Sequence, residues 1–272
     1  MIAIGLGQGG CNIVRLMGSN PSVKGICLDG GSGLPLCASH EEYEQSVPPL
    51  SRKLRLGKEQ NIWVVLSGAG KVSGAILAIL EQLKERRVRV AYIYPDSFFL
   101  SKTQTIQNKV VYSVLQEYAR SGLIDSLYLF SNKSITEFTG EPSISSLYDD
   151  TNSTISNFIL NLEWFENAQP VIGNLHEPKE ISRIRTVSVG KINSDEENLF
   201  FPIDDVTESA YYYSVSSDDK ENERNLLTNI RERVTLYKER EIECSFGLWE
   251  NESDVSFYYS IKYTHFIQKE VT

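Results

Sequence analysis

Four glycines within six residues, Gly5, Gly7, Gly9 and Gly10, constrain this chain more than any other stretch. They follow a short apolar run, Ile2 to Ile4, and precede apolar residues at helical spacing, Ile13, Val14, Leu16 and Met17. The first fourteen residues therefore predict strand, glycine turn and helix. Glycine opens backbone angles closed to other residues and lets a ligand approach the main chain. A helix start adds unpaired N–H groups and the positive end of a dipole, which together suit a phosphate group. A tight turn alone can use glycine, but four in six exceed what a turn requires.

The same unit recurs. Ile62 to Leu66 predicts a strand that runs into Ser67-Gly68-Ala69-Gly70-Lys71-Val72-Ser73-Gly74, followed by a helix with Ala75, Ile76, Ile79, Leu80 and Leu83 inward. Between the two units, Val23 to Leu28 reads as a buried strand ending at Asp29 and Gly30-Gly31-Ser32-Gly33, where the carboxylate is within reach of a ligand. Residues 35–60 carry prolines and charges with little periodicity and are expected to be a surface connection. Val88 to Tyr94 and Ser126 to Phe130 add strands around an amphipathic helix over 104–120, with Val110, Val111, Val114, Leu115 and Tyr118 inward.

Strands alternating with helices predict an α/β protein with a parallel sheet covered on both faces, whose ligands bind beyond the carboxyl ends of the strands. The expected organisation is a parallel-sheet nucleotide-binding domain over residues 1–142, a long central helix over 143–166 and a smaller α/β C-terminal domain over 167–272. The central helix is read from Ile144, Leu147, Tyr148, Ile155, Ile159 and Leu162. Strands are expected at 184–189, 211–215, 242–248 and 255–263, in a sheet with an exposed face, together with a charged helix over 219–239. The acidic stretch 193–209 reads as a solvated loop.

Composition excludes some functions. The net charge is −9, and no run of Lys and Arg is long enough to track a phosphate backbone, so no direct nucleic-acid partner is expected. Nowhere do 18 apolar residues run together, and the strand at Ile2 leaves no room for a leader peptide, so the expectation is a cytoplasmic protein without membrane contact. Cys11, Cys27, Cys37 and Cys244 are scattered, and His40, His176 and His265 are isolated. Neither a disulfide framework nor a metal site is indicated, and all seven read as packing or surface residues.

Gly5, Gly7 and Gly10 satisfy GxGxxG, and Asp29 stands about 20 residues on, as the ribose ligand of a Rossmann NAD(P)-dependent oxidoreductase would. The second glycine turn is more than a simple dehydrogenase demands, and a triphosphate could span both turns. Lys71 is not in a P-loop, because Val65 and Val72 occupy the places of the required glycine and hydroxyl.

Gly5 to Val14, with Asn12 after the glycines, resembles the first nucleotide loop of the tubulin and FtsZ superfamily. Asp29 resembles the acid of that family's second loop, Gly68 to Ala75 its GGGTGTG signature, Pro95 the proline of its ribose loop and Ser131-Asn132-Lys133 its Asn-Asp-Lys segment. Tyr148 and Asn152 resemble an aromatic and an Asn four apart on the central helix, hence on one helix face. Without the resemblance they read as a core aromatic and a surface amide. The short length is more similar to the phage or plasmid branch, such as TubZ and PhuZ.

The resemblance implies a filament-forming protein that binds GTP or GDP with Mg2+ and associates head to tail with itself, with an adaptor or cargo protein as a further partner. The implied contacts are Gly5, Gly7, Gln8, Gly9, Gly10, Gly68, Ala69, Gly70, Lys71, Ser73 and Gly74 around phosphate, Asp29 nearby, Asn12 and Asn152 on guanine, and Tyr148 stacked on the base. Lys71 and Val72 replace a threonine and a glycine of the signature, which trades a hydroxyl and flexibility for a cation. The acid of the ribose loop is not at its expected place, where Phe98 and Phe99 stand near Asp96.

Catalysis in the family uses a loop after the central helix, with Asn and two Asp in the order NxDxxD. Here Asn174 matches, the Asp positions hold His176 and Lys179, and Glu177 and Glu180 keep the three-residue separation one place later. Asn174, Glu177 and Glu180 are thus the candidate catalytic residues of a GTPase completed by the next subunit. Equally, Glu177-Pro178-Lys179-Glu180 could open a helix, with proline at its first position. A nucleotide-binding structural protein that does not hydrolyse stands as a further alternative.

Overall fold

The computed structural model describes residues 1–50, 61–140, 143, 146, 148–192, 197–216, 226–251 and 255–271. In chain order the strands are β1 Ile2–Leu6, β2 Lys24–Gly30, β3 Gly33–Leu34, β4 Ile62–Ser67, β5 Val88–Tyr94, β6 Ser126–Ser131, β7 Ile172–Gly173, β8 Ile184–Lys191, β9 Asn198–Leu199, β10 Glu208–Ser216, β11 Glu243–Asn251 and β12 Phe257–Thr264. The α-helices are α1 Gly7–Met17, α2 His40–Gln45, α3 Ile76–Leu83, α4 Lys102–Arg120, α5 Asn132–Thr139, α6 Asp149–Asn167 and α7 Leu226–Glu239.

The first six strands lie in the order β3-β2-β1-β4-β5-β6 and are parallel throughout. The sheet then continues without a break, because β8 pairs in parallel with β6 from Leu127↔Ile184 to Leu129↔Thr186. Beyond β8 follow β12, β10, β11 and β7, with β9 paired to β8. Only the β10–β11 pair is parallel in that half. β1, β5 and β6 are buried along their whole length, as strands covered on both faces must be.

On one face, Ile2, Ile4, Val64, Val90 and Leu129 pack with Ile76 and Ile79 of α3 and Val111 and Leu115 of α4. On the other, Ala3, Trp63, Ala91, Tyr128, Val187, Ile261 and Trp249 pack with Ile13 and Val14 of α1 and Ile155, Phe158 and Leu162 of α6. Leu226, Ile230 and Val234 of α7 cover Tyr211, Tyr213 and Tyr258.

Several expectations require correction. The second half of the sheet has no exposed face, because α6 covers one side and α7 the other. The stretch 193–209 is no solvated loop over its described residues: Phe200 and Phe201 are fully buried, and Glu197 and Glu208 lie inside, Glu197 paired with Lys262 at 2.9 Å. Its aromatics supply the apolar area that its acids conceal in a composition count. Tyr43 and Leu50 of the supposed surface connection are core residues, while 51–60 lie outside the described residues. Val110 is 52% exposed, because α4 buries the stripe Asn108, Val111, Tyr112, Leu115 and Ala119 instead.

α6 begins at Asp149 rather than near 143, and residues 144, 145 and 147 lie outside the described residues. Asp149 and Asp150 occupy its first turn, where carboxylates are favoured by the helix dipole. A buried guanidinium anchors the other end: Arg89 of β5 reaches Glu166 at 2.8 Å and Glu163 at 3.5 Å, and Trp63 Nε1 donates to Glu163 at 2.9 Å.

Candidate functional site

β1 and β4 are neighbours in register, Gly5↔Val65 and Leu6↔Leu66, so the two glycine turns leave the sheet side by side at its carboxyl edge. This is where the strand order reverses, and open α/β sheets bind ligands at that point. Gly7, at φ +72°, turns the chain from β1 directly into α1. The start of α1 carries no side-chain cap and no acid in its first turn, so its N–H groups keep their positive polarisation for an external anion.

The turn residues fall into two groups. A Cβ on Gly5 would stand 2.5 Å from the Gly10 carbonyl oxygen, one on Gly10 2.1 Å from the Val65 oxygen, one on Gly68 2.1 Å from the Tyr92 hydroxyl, and one on Gly74 2.0 Å from the His40 oxygen. Gly5, Gly10 and Gly74 let one backbone pack against another, and Gly68 makes room for the Tyr92 and Asn108 side chains. A Cβ on Gly9 or Gly70 would meet nothing within 4 Å. Those two are exposed, as are Gln8 and Lys71. Ala69 and Ser73 are buried; the Ser73 hydroxyl donates to the Gly68 and Gly70 carbonyls and contacts His40, so it shapes the turn. His40 thereby packs under the second turn, and burial lowers its pKa.

Asp29 is half-buried, and its carboxylate accepts from the Gly30 N–H. Asn12 Oδ1 accepts from Arg15 at 2.7 Å, a partner that sequence reasoning missed. Asp96 caps the single turn Ser97–Phe99 by accepting from the Phe98 N–H, which leaves Phe98 85% exposed. α1 packs along α6, so Asn12 and Asn152 ride on adjacent helices. Tyr148 flanks the start of α6 with its side chain 46% exposed, and its carbonyl accepts from the Asn152 N–H. Asn152 is 8% exposed, and its side chain makes no hydrogen bond among the described residues. Cys11 behind the first turn is packing, and burial pushes its thiol up to about 12.

Asn174, Glu177 and Glu180 lie elsewhere. They follow the C-terminal end of α6, whose 19 residues span about 28 Å at 1.5 Å per residue, so one subunit does not join them to its own glycine turns. Asn174 Oδ1 accepts from the Phe246 N–H at 2.9 Å and so pins the segment to β11, while Glu177 and Glu180 are exposed. No helix opens at Glu177, which removes that reading of the segment.

Sequence reasoning also missed a row of alternating rings and guanidinium groups at the amino edge of the sheet. Arg89 stands over Trp63 at 5.6 Å, and Arg185 lies between Tyr128 at 5.3 Å and Tyr263 at 5.0 Å. A single arginine inside each of two apolar strands, Val88-Arg89-Val90 and Ile184-Arg185, was the available signal.

A continuous, mostly parallel sheet with two glycine turns at its switch point and helices on both faces defines an α/β architecture. This chain has the tubulin/FtsZ-like fold. It superposes on an FtsZ dimer subunit of M. jannaschii with TM-score 0.70 at 12% identity, over 97% of this chain and 87% of that one. TubZ of Bacillus thuringiensis serovar israelensis, in a GTPγS-form protofilament, gives 0.72 at 14% identity over 96% and 86%. CetZ1 of Haloferax volcanii, a GDP-bound monomer, gives 0.68 at 15% identity over 100% and 94%. No protein-family model and no curated protein sequence matches the chain. Among the described residues, no helix is long and apolar enough to cross a membrane.

Proposed function

We propose that this chain binds GTP and GDP across its two glycine turns and assembles head to tail into a filament. The observation that carries the reading is the open space at Gly9 and Gly70, on adjacent turns at the switch point of the sheet. The N–H groups opening α1 would hold phosphate, Lys71 would add a cation, Tyr148 would stack on the base, and the free amide of Asn152 would read guanine beside Asn12. A bound Mg2+ would be held largely by the phosphates, as this ion usually is. The similarity in fold to TubZ in GTPγS-form and GDP-form protofilaments supports both binding and self-association.

A head-to-tail contact would bring Glu177 and Glu180 of one subunit to the phosphates of the next. Two carboxylates there would position the attacking water, and positioning with electrostatics is most of what phosphoryl transfer asks of a protein. The test is to identify the nucleotide retained on purification and to look for filaments by electron microscopy after GTP is added. Retained guanine nucleotide with GTP-dependent filaments supports the reading, and retained NAD(H) would overturn it in favour of the dehydrogenase.

A further inference from the structure

At the amino edge of the sheet, remote from the glycine turns, lies a cavity of about 740 Å3. Its walls are the strand ends carrying Arg87, Arg89, Arg183 and Arg185, the end of α6 and the segment from Leu175 to Glu180. The four arginines are not in the same electrostatic state. Arg87 pairs with Asp125 at 2.8 Å, and Arg89 faces Asp125, Glu163 and Glu166. Arg183 and Arg185 have no carboxylate partner among the described residues: Arg183 donates to the Asp125 carbonyl and Arg185 to the Tyr128 hydroxyl.

Arg185 is 8% exposed, and its Nε makes no hydrogen bond. A guanidinium cannot neutralise itself by losing its proton, so a buried one requires a counter-charge. The Tyr128 and Tyr263 rings offset part of that cost. Lys179 is engaged by Glu243 at 3.0 Å and is not the missing partner's competitor. Glu177 and Glu180 on the rim are exposed, so solvent screens them far more than it screens Arg185.

We propose that this cavity is a second ligand site, which takes a small molecule through a phosphate or carboxylate group held by Arg183 and Arg185. Guanidinium forks match the planar and tetrahedral oxygens of these anions. Arg185 supplies the buried charge, Arg183 reaches from the half-buried edge, and the stacked Tyr212 and Trp249, 5.7 Å apart, offer apolar surface to the rest of the ligand. None of its residues belongs to the glycine turns, although its rim segment, with Glu177 and Glu180, is the one the proposed head-to-tail contact would use.

The experiment is calorimetric titration of the whole chain, saturated with GDP, with inorganic phosphate and separately with citrate. Wild type should bind at least one probe, and the probe that binds names the anionic group. Arg185→Met and Arg183→Gln should each weaken that binding about tenfold or more, the effect expected on losing a charge-assisted hydrogen bond. Circular dichroism checks folding. Should Arg185→Met fail to fold, the half-buried Arg183→Gln decides alone. No binding of either probe to wild type, or equal binding by wild type and the folded variants, would overturn the proposal. If the chain does not bind GDP, the same comparison still distinguishes this cavity from anion binding at the glycine turns.

Discussion

Gly10 and Val65 meet so closely that a Cβ on the glycine would stand 2.1 Å from the valine carbonyl oxygen, whereas Gly9 has open space around it. The first turn thus faces two ways: Gly10 packs inward against β4, and Gly9 faces the space where phosphate would lie. A side chain at Gly10 therefore disrupts the fold and makes a poor probe of binding. Gly10→Val should destabilise the chain by about 1–3 kcal/mol or more, since overpacking against backbone has little room to relax. Gly9→Val should unfold close to wild type yet lose GTP binding. Thermal unfolding with a nucleotide-binding assay checks both, and unchanged GTP affinity in folded Gly9→Val would exclude the first turn from the site.

Asn152→Ala should weaken guanine nucleotides by about 1–3 kcal/mol and adenine nucleotides much less, because it removes a hydrogen bond to the base. Tyr148→Ala should weaken both, by roughly 1–3 kcal/mol, since stacking discriminates little between bases. Competition binding with GTP and ATP measures the difference. Equal losses for the two nucleotides in Asn152→Ala would deny it a base-reading role.

Glu177→Gln and Glu180→Gln should keep GTP binding and slow its hydrolysis, giving filaments that form but do not disassemble. Because α6, about 28 Å long, lies between these residues and the glycine-turn half of the chain, hydrolysis per subunit is expected to rise steeply with protein concentration. Phosphate release measured across the assembly threshold tests this. Flat turnover would show that the site is not shared, and none at all would favour a structural protein that does not hydrolyse.

Glu197 links acid stability to a buried cluster. Burial pushes its carboxyl up, but the Lys262 ammonium and the hydroxyls of Tyr211 and Tyr237 more than reverse this and hold it below the ordinary 4.5. A carboxyl with a lowered folded pKa stabilises above its unfolded value, and that contribution is lost as pH falls through the folded one. Wild type should therefore lose stability below about pH 4.5 more steeply than Glu197→Gln, in urea unfolding followed against pH. Identical slopes would remove Glu197 from the acid response.

Strand-turn-helix units are local, and they were legible in the chain: the glycine spacing and the apolar periods around it are set by neighbours a few residues apart. By itself the sequence determined two glycine turns at strand ends and an α/β architecture, while Tyr148 and Asn152 became candidates only through the family resemblance. Tertiary structure alone decided which glycines face open space and which are packed against, because that depends on Val65, Tyr92 and His40 arriving from elsewhere in the chain. It decided that Phe200 and Phe201 pull an acidic stretch into the core. It also decided that Arg89 finds three carboxylates while Arg185, in a similar strand context, finds two rings and no counter-charge. Local propensity has a range of a few residues, but electrostatic partners and close contacts are chosen by the register between strands and helices far apart in sequence.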